Sequence, residues 1–165
     1  MTLTTAQADG NEPTAGGLDA AIALARAAHA GQVDKVGADY IEHPLGVMAR
    51  VDGDDEKIVA VLHDVVEDTE VTLDDLRAQG YAEHVVRAVD AVTKRAGEPL
   101  AESMGRVAAD PLALVVKRAD ISHNANPARQ AGLPPETRAR LTAKYEESAR
   151  LLGTTLTEIL GAHRS

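Results

Sequence analysis

The run Leu62-His63-Asp64-Val65-Val66-Glu67-Asp68-Thr69 gathers one imidazole and three carboxylates within two helical turns of an otherwise apolar segment. Adjacent residues on a helix diverge by about 100°, so His63 and Asp64 can both reach an ion placed between them. Glu67 lies one turn further on, over the same face. Imidazole and carboxylates without a thiolate suit a hard or borderline divalent ion such as Mn, Mg, Fe or Zn. The plain alternative is a helix end decorated with acids.

Two further segments offer groups of the same chemistry. Tyr40-Ile41-Glu42-His43-Pro44 sets a His just before a Pro able to begin a helix, so the imidazole lies at a helix N-terminus and can point into a cleft between helices. Lys117-Arg118-Ala119-Asp120 puts a carboxylate within an apolar helix, and His123-Asn124 follows one turn later on the same side. Taken singly, each reads as an ordinary core histidine, cap or ion-pair partner.

Together, in the order His, His-Asp, then a distant Asp, these segments resemble the HD phosphohydrolases. The longer words Tyr40-Ile41-x-His43-Pro44, His63-Asp64-Val65-Val66-Glu67-Asp68-Thr69, Val92-Thr93-Lys94 and Lys117-x-Ala119-Asp120-x-x-His123-Asn124 resemble a narrower group, the hydrolase domain of the RelA/SpoT family, which removes the 3′-pyrophosphate of (p)ppGpp. The resemblance covers roughly residues 18–153 and includes no synthetase or regulatory domain, as in a stand-alone small alarmone hydrolase. It implies that His43, His63, Asp64 and Asp120 bind one ion, typically Mn²⁺, with other divalent ions possible. It implies that Glu67 and Asp68 orient or deprotonate the attacking water, with Glu67 the first choice as base. Lys35 and Lys117 are then candidates for phosphate contacts, and Asn124 and Tyr145 match positions lining a nucleoside pocket.

The substrate rim departs from that family. Where relatives usually carry an Arg-Lys pair this chain has Asp34-Lys35, and an acid there is expected to repel phosphate. Asp39 stands where relatives have Pro before Tyr-Ile, and Ile121-Ser122-His123-Asn124-Ala125-Asn126 replaces the usual Arg-Leu-His-Asn-Met-Arg.

The elements that must position these groups are helical almost throughout. Apolar periodicity predicts helices over 18–30, 44–51, 55–66, 82–94, 99–109, 111–123 and 135–152, with a last turn or two over 154–162. Thr72 with Asp75 forms a variant capping box, opening a further helix that Gly80 closes. Residues 1–17, rich in Thr, Ala, Gly and Asn without an apolar period, read as a mobile tail before a single domain over 18–165. The fold class is all-α, a helical bundle of the HD-domain type.

A length of 165 residues supports one domain with a real core, and with no Phe or Trp that core must come from Ala, Val, Leu and Ile. Absence of Cys removes disulfides, Cys-ligated zinc and thiol nucleophiles together, and fits a cytoplasmic location. No apolar run is long enough to span a bilayer, so no membrane partner is expected. A net charge of −9 argues against nucleic acid, whose affinity comes from Lys and Arg neutralising phosphates, but leaves room for a small nucleotide beside a local cation. Oligomeric state is left open. The expected activity is metal-dependent hydrolysis of the 3′-pyrophosphate of (p)ppGpp. Two alternatives stand beside it: an HD phosphohydrolase acting on another small nucleotide, (p)ppApp or the 2′-phosphate of NADPH, and a non-catalytic nucleotide-sensing module.

Overall fold

The computed structural model describes residues 14–163 as an array of helices. They are α1 (Leu18–Ala28), α2 (Glu42–Met48), α3 (Asp54–Leu62), α4 (Val65–Asp68), α5 (Leu73–Ala78), α6 (Glu83–Val92), α7 (Leu100–Ala108), α8 (Pro111–Asn124), α9 (Pro127–Gln130), α10 (Pro135–Leu151) and α11 (Leu156–Ala162). The expected all-α class holds. Among the described residues the β geometry is one isolated antiparallel bridge, Val33 with Asp39, which closes the α1–α2 loop. The predicted tail falls largely on residues 1–13, outside the described residues; residues 14–17 form a turn against Gly80.

The starts of several helices follow from their first residues. Asp110 accepts from the Leu112 and Ala113 amides and Pro111 occupies the first turn of α8, where its missing N–H costs nothing. Thr72 accepts from the Asp75 amide while Asp75 accepts from Thr72, and Gly80 leaves α5 at a φ of +90°. Glu56 reaches back to the amides of Asp52 and Gly53 at the start of α3. The short α9 has no counterpart among the helices that periodicity predicts, although Asn126 caps it and Pro127 opens it in the usual way.

The core is small-residue packing around α3, which touches α1, α2, α6 and α8. Five successive α3 residues, Ile58, Val59, Ala60, Val61 and Leu62, are all buried, so this helix is enclosed on every side rather than on one stripe. Ala21 and Ala25 on α1, four residues apart and fully buried, let that helix approach closely. The single helix expected over 55–66 is corrected here. It breaks at His63 and Asp64, and α4 starts afresh at Val65. Periodicity records which side chains are buried, not whether the hydrogen-bond ladder runs on; the His63 amide bonds weakly back to Ala60, three residues away.

Candidate metal and nucleotide site

Three elements deliver the polar groups at the end of the α3 pillar. The first turn of α2 supplies His43, the α3–α4 break supplies His63 and Asp64, and the middle of α8 supplies Asp120. His43, His63 and Asp120 are 3, 4 and 6% exposed and bring ligating atoms within 4.8 Å of one another. Asp120 Oδ1 lies 2.9 Å from His43 Nε2 and 3.3 Å from His63 Nε2. Asp64 Oδ2 lies 3.0 Å from His63 Nε2 and 3.7 Å from His43 Nε2. His43, His63 and Asp120 therefore form one group, and Asp64 approaches it through the two imidazoles.

The surrounding hydrogen bonds fix how each group faces that point. His63 donates through Nδ1 to the Ala60 carbonyl at 2.6 Å, which turns Nε2, a buried atom without a hydrogen-bond partner, toward the cluster. Nε2 looks at two carboxylates, so it carries either a proton, the state those carboxylates favour, or a metal ion in the proton's place. The donor set of two imidazoles and two carboxylates fits a divalent ion. His43 Nδ1 and His123 Nδ1 are 2.7 Å apart. Burial first, then His43 and Arg129, depress His123 to about 3, so it is neutral and can accept from His43 Nδ1–H, freeing His43 Nε2 to ligate. Tyr40 O–H donates to Asp64 Oδ2 at 2.6 Å, while Lys117 Nζ and Asn124 Nδ2 donate to the two oxygens of Asp120 at 2.9 and 3.1 Å.

Electrostatics follow from that packing. Burial works against charge on Asp64 and Asp120, yet His63 draws Asp64 down to about 2, and Lys117 with His63 holds Asp120 well below the usual range. Glu67 and Asp68 move the other way, raised by burial and then by Asp64. They are thereby better proton acceptors than free carboxylates.

Two cavities share Asp64, Asp120, Asn124 and Tyr145 as a common wall. The larger, about 460 Å³, also meets Lys35, Tyr40 and Arg129. The smaller, about 170 Å³, meets Glu67 and three lysines, Lys94, Lys117 and Lys144. Glu67 and Lys117 thus share one chamber, whereas the exposed Lys35 sits on the rim of the other. Asp68 lines neither.

The expectation for Asp34 is corrected. Its Oδ1 accepts from the Val36 and Ala38 amides, each at 2.9 Å, and its Oδ2 pairs with Arg129 at 3.5 Å. The carboxylate is spent on its own loop and one cation instead of repelling a phosphate. Sequence reasoning missed Lys94, Arg129, Lys144 and the supporting contacts of Tyr40 and His123. Tyr40, Lys94 and His123 stood inside quoted motifs and could have been assigned; Arg129 and Lys144 carried no local pattern.

The sequence profile of the HD domain family matches residues 21–103, a span holding His43, His63 and Asp64. The chain belongs to the HD domain family. Among relatives of this HD domain, a probable GTP pyrophosphokinase of Mycobacterium leprae is 39% identical over 125 residues, covering 68% of this chain and 16% of that protein. A probable guanosine-3′,5′-bis(diphosphate) 3′-pyrophosphohydrolase of Synechocystis is 34% identical over 134 residues, covering 72% and 17%. The chain thus spans about a sixth of the length of these curated relatives. A solved structure of a metazoan ortholog of SpoT, described as hydrolysing ppGpp, has a TM-score of 0.73 at 23% identity, covering 92% of this chain and 95% of that one. The likeness extends over the whole HD fold.

Proposed function

We propose that this HD domain is a metal-dependent phosphohydrolase that removes the 3′-pyrophosphate of (p)ppGpp, releasing GDP or GTP plus pyrophosphate. The observation that carries it is the buried group of His43, His63 and Asp120, with the half-buried Asp64 against both imidazoles, beside a chamber lined by Glu67 and lysines. The naming of the Synechocystis relative supports the substrate. A cytoplasmic location goes with such a substrate.

His43, His63, Asp64 and Asp120 would hold the ion, Mn²⁺ for preference. When bound, it supplies Lewis-acid stabilisation of phosphoryl charge and a lowered pKa for a coordinated water. The chain's own groups do the rest. Glu67 accepts the proton of the attacking water, while Asp68, outside both cavities, keeps the local field negative. Lys94 and Lys144 neutralise phosphate oxygens in the smaller chamber. Lys117, already bonded to Asp120, holds that ligand while facing the same chamber. Tyr145, on the wall common to both cavities, bounds the nucleoside. Asn124 is tied to Asp120 and acts with it. Lys35 closes the outer rim of the larger cavity.

A sensing module needs no proton acceptor beside its ion, and Glu67 speaks against it. The altered segment at Asp34 favours keeping (p)ppApp and the 2′-phosphate of NADPH as second substrates to test. Incubation of the purified protein with Mn²⁺ and each nucleotide, read by product identity, should give pyrophosphate from (p)ppGpp. Release of orthophosphate, or turnover of NADPH alone, would overturn the assignment.

A further inference from the structure

A chain of contacts runs outward from the ligand cluster into the larger cavity. Asn124 spends its amide in both directions: Nδ2 donates to Asp120 Oδ1 at 3.1 Å, and Oδ1 accepts from Arg129 Nε at 3.4 Å. Arg129 in turn pairs through Nη1 with Asp34 Oδ2 at 3.5 Å, and that carboxylate is itself anchored by two loop amides. The guanidinium is therefore held at a set place relative to Asp120. It is 22% exposed and lines the cavity. A guanidinium has five N–H donors; Nε donates to Asn124, Nη1 faces Asp34 as an ion pair, and no other hydrogen bond to the guanidinium is made among the described residues.

A second clasp holds the same elements together. Val36, from the bridge-closed loop, lies so close to Gly132 that a Cβ there would come within 2.8 Å of Val36 Cγ1. The loop carrying Asp34 and the segment following α9 thus meet through an apolar contact as well, so the ion pair is not the sole tie between them. An arginine tied on two sides, with free donors at the wall of a cavity, is placed for a planar anionic partner.

We propose that Arg129 is the phosphate-binding cation of the larger cavity, with Asp34 and Asn124 as the residues that position it. This rests on the nucleotide assignment above and extends it. Position 34 contributes the anchor, and the cation comes from the other side of the cavity. Phosphate recognition by a guanidinium is indifferent to the base, so Arg129 serves guanine and adenine nucleotides alike.

The test measures nucleotide affinity by calorimetry in a Glu67→Gln background, with Mn²⁺ saturating, for ppGpp and ppApp, adding Arg129→Met and Asp34→Asn separately. The Asp34→Asn change keeps a side-chain oxygen for the loop amides and loses only the charge facing Arg129. Arg129→Met should weaken both nucleotides about tenfold or more, as expected for loss of charge-assisted bonds, and leave Mn²⁺ affinity unchanged. Asp34→Asn should weaken them by a smaller factor. In the otherwise native protein, Arg129→Met should raise KM with kcat nearly unchanged. Equal losses in Arg129→Met and Asp34→Asn would reduce the pair to a loop latch and overturn the proposal, as would a loss confined to one base, or tighter binding in Asp34→Asn. A native protein that binds ppGpp without hydrolysing it would count against the reaction and leave this comparison standing. One that binds neither nucleotide would overturn both.

Discussion

His123 lies directly over Gly46: a methyl group at position 46 would stand 2.2 Å from His123 Nε2. Gly46 is inside α2, where alanine would otherwise gain about 1 kcal/mol of helix propensity. The ring contact opposes that gain, because displacing the ring strains its 2.7 Å bond to His43. Gly46→Ala should therefore leave the protein folded and lower Mn²⁺ affinity on the order of 10- to 100-fold, the usual cost of losing support behind a ligand. Native-like Mn²⁺ affinity in a titration would show that His123 does not orient His43.

Glu67→Gln should reduce turnover on the order of a hundredfold or more with the ion still bound, since only proton acceptance is removed. Asp64→Asn and Asp120→Asn should instead lose the ion. Metal content by atomic emission, set beside kcat, separates the two outcomes.

The pH dependence of stability has a sign fixed by His63. Burial opposes its charge, but Asp64 and Asp120 prevail and hold its pKa well above the ordinary 6.5. A group raised on folding contributes stability that is complete below its unfolded pKa and lost as pH climbs through the folded value. His43 and His123, depressed chiefly by burial, are already neutral above 6.5 and add no slope there. With chelator present, the urea midpoint should fall as pH rises from about 6.5, the ordinary histidine value. With Mn²⁺ saturating, the loss should be offset, because the ion takes the place of the departing proton. A midpoint in chelator that rises across this window would contradict the arrangement around His63.

Leu76→Ala removes a fully buried side chain on α5, which carries none of the ligands. The expected cost is about 2–5 kcal/mol of folding stability. Mn²⁺ affinity of the folded fraction should not change, and a parallel loss of affinity would mean that the core and the ligand cluster are coupled.

The candidate group of His43, His63 and Asp120 was legible in the sequence because few residue types can hold a divalent ion, and their order with short flanking words is restrictive. Helix positions were legible for a similar reason: with the apolar set confined to small aliphatics, the burial period of α1, α6 and α8 stands out. The break at His63 and Asp64 was hidden, since apolar residues continue through it. Arg129 was hidden because its role depends on Asp34 and Asn124 meeting it in space, and α9 is too short to show a period. The need for Gly46 was hidden too, because the ring that requires the room, His123, stands far along the chain.

The enclosed α3 pillar, buried at five successive positions, leads straight into His63, whereas Asp34 and Tyr40 sit on an irregular loop closed by a single bridge. Amides of the pillar should exchange with solvent only when the whole domain opens, and those of the loop long before. Change can therefore accumulate at one border of the cavity while the other stays fixed. Substitutions on the loop should accordingly cost less folding stability than substitutions on the pillar, so the two borders of the cavity can be altered separately.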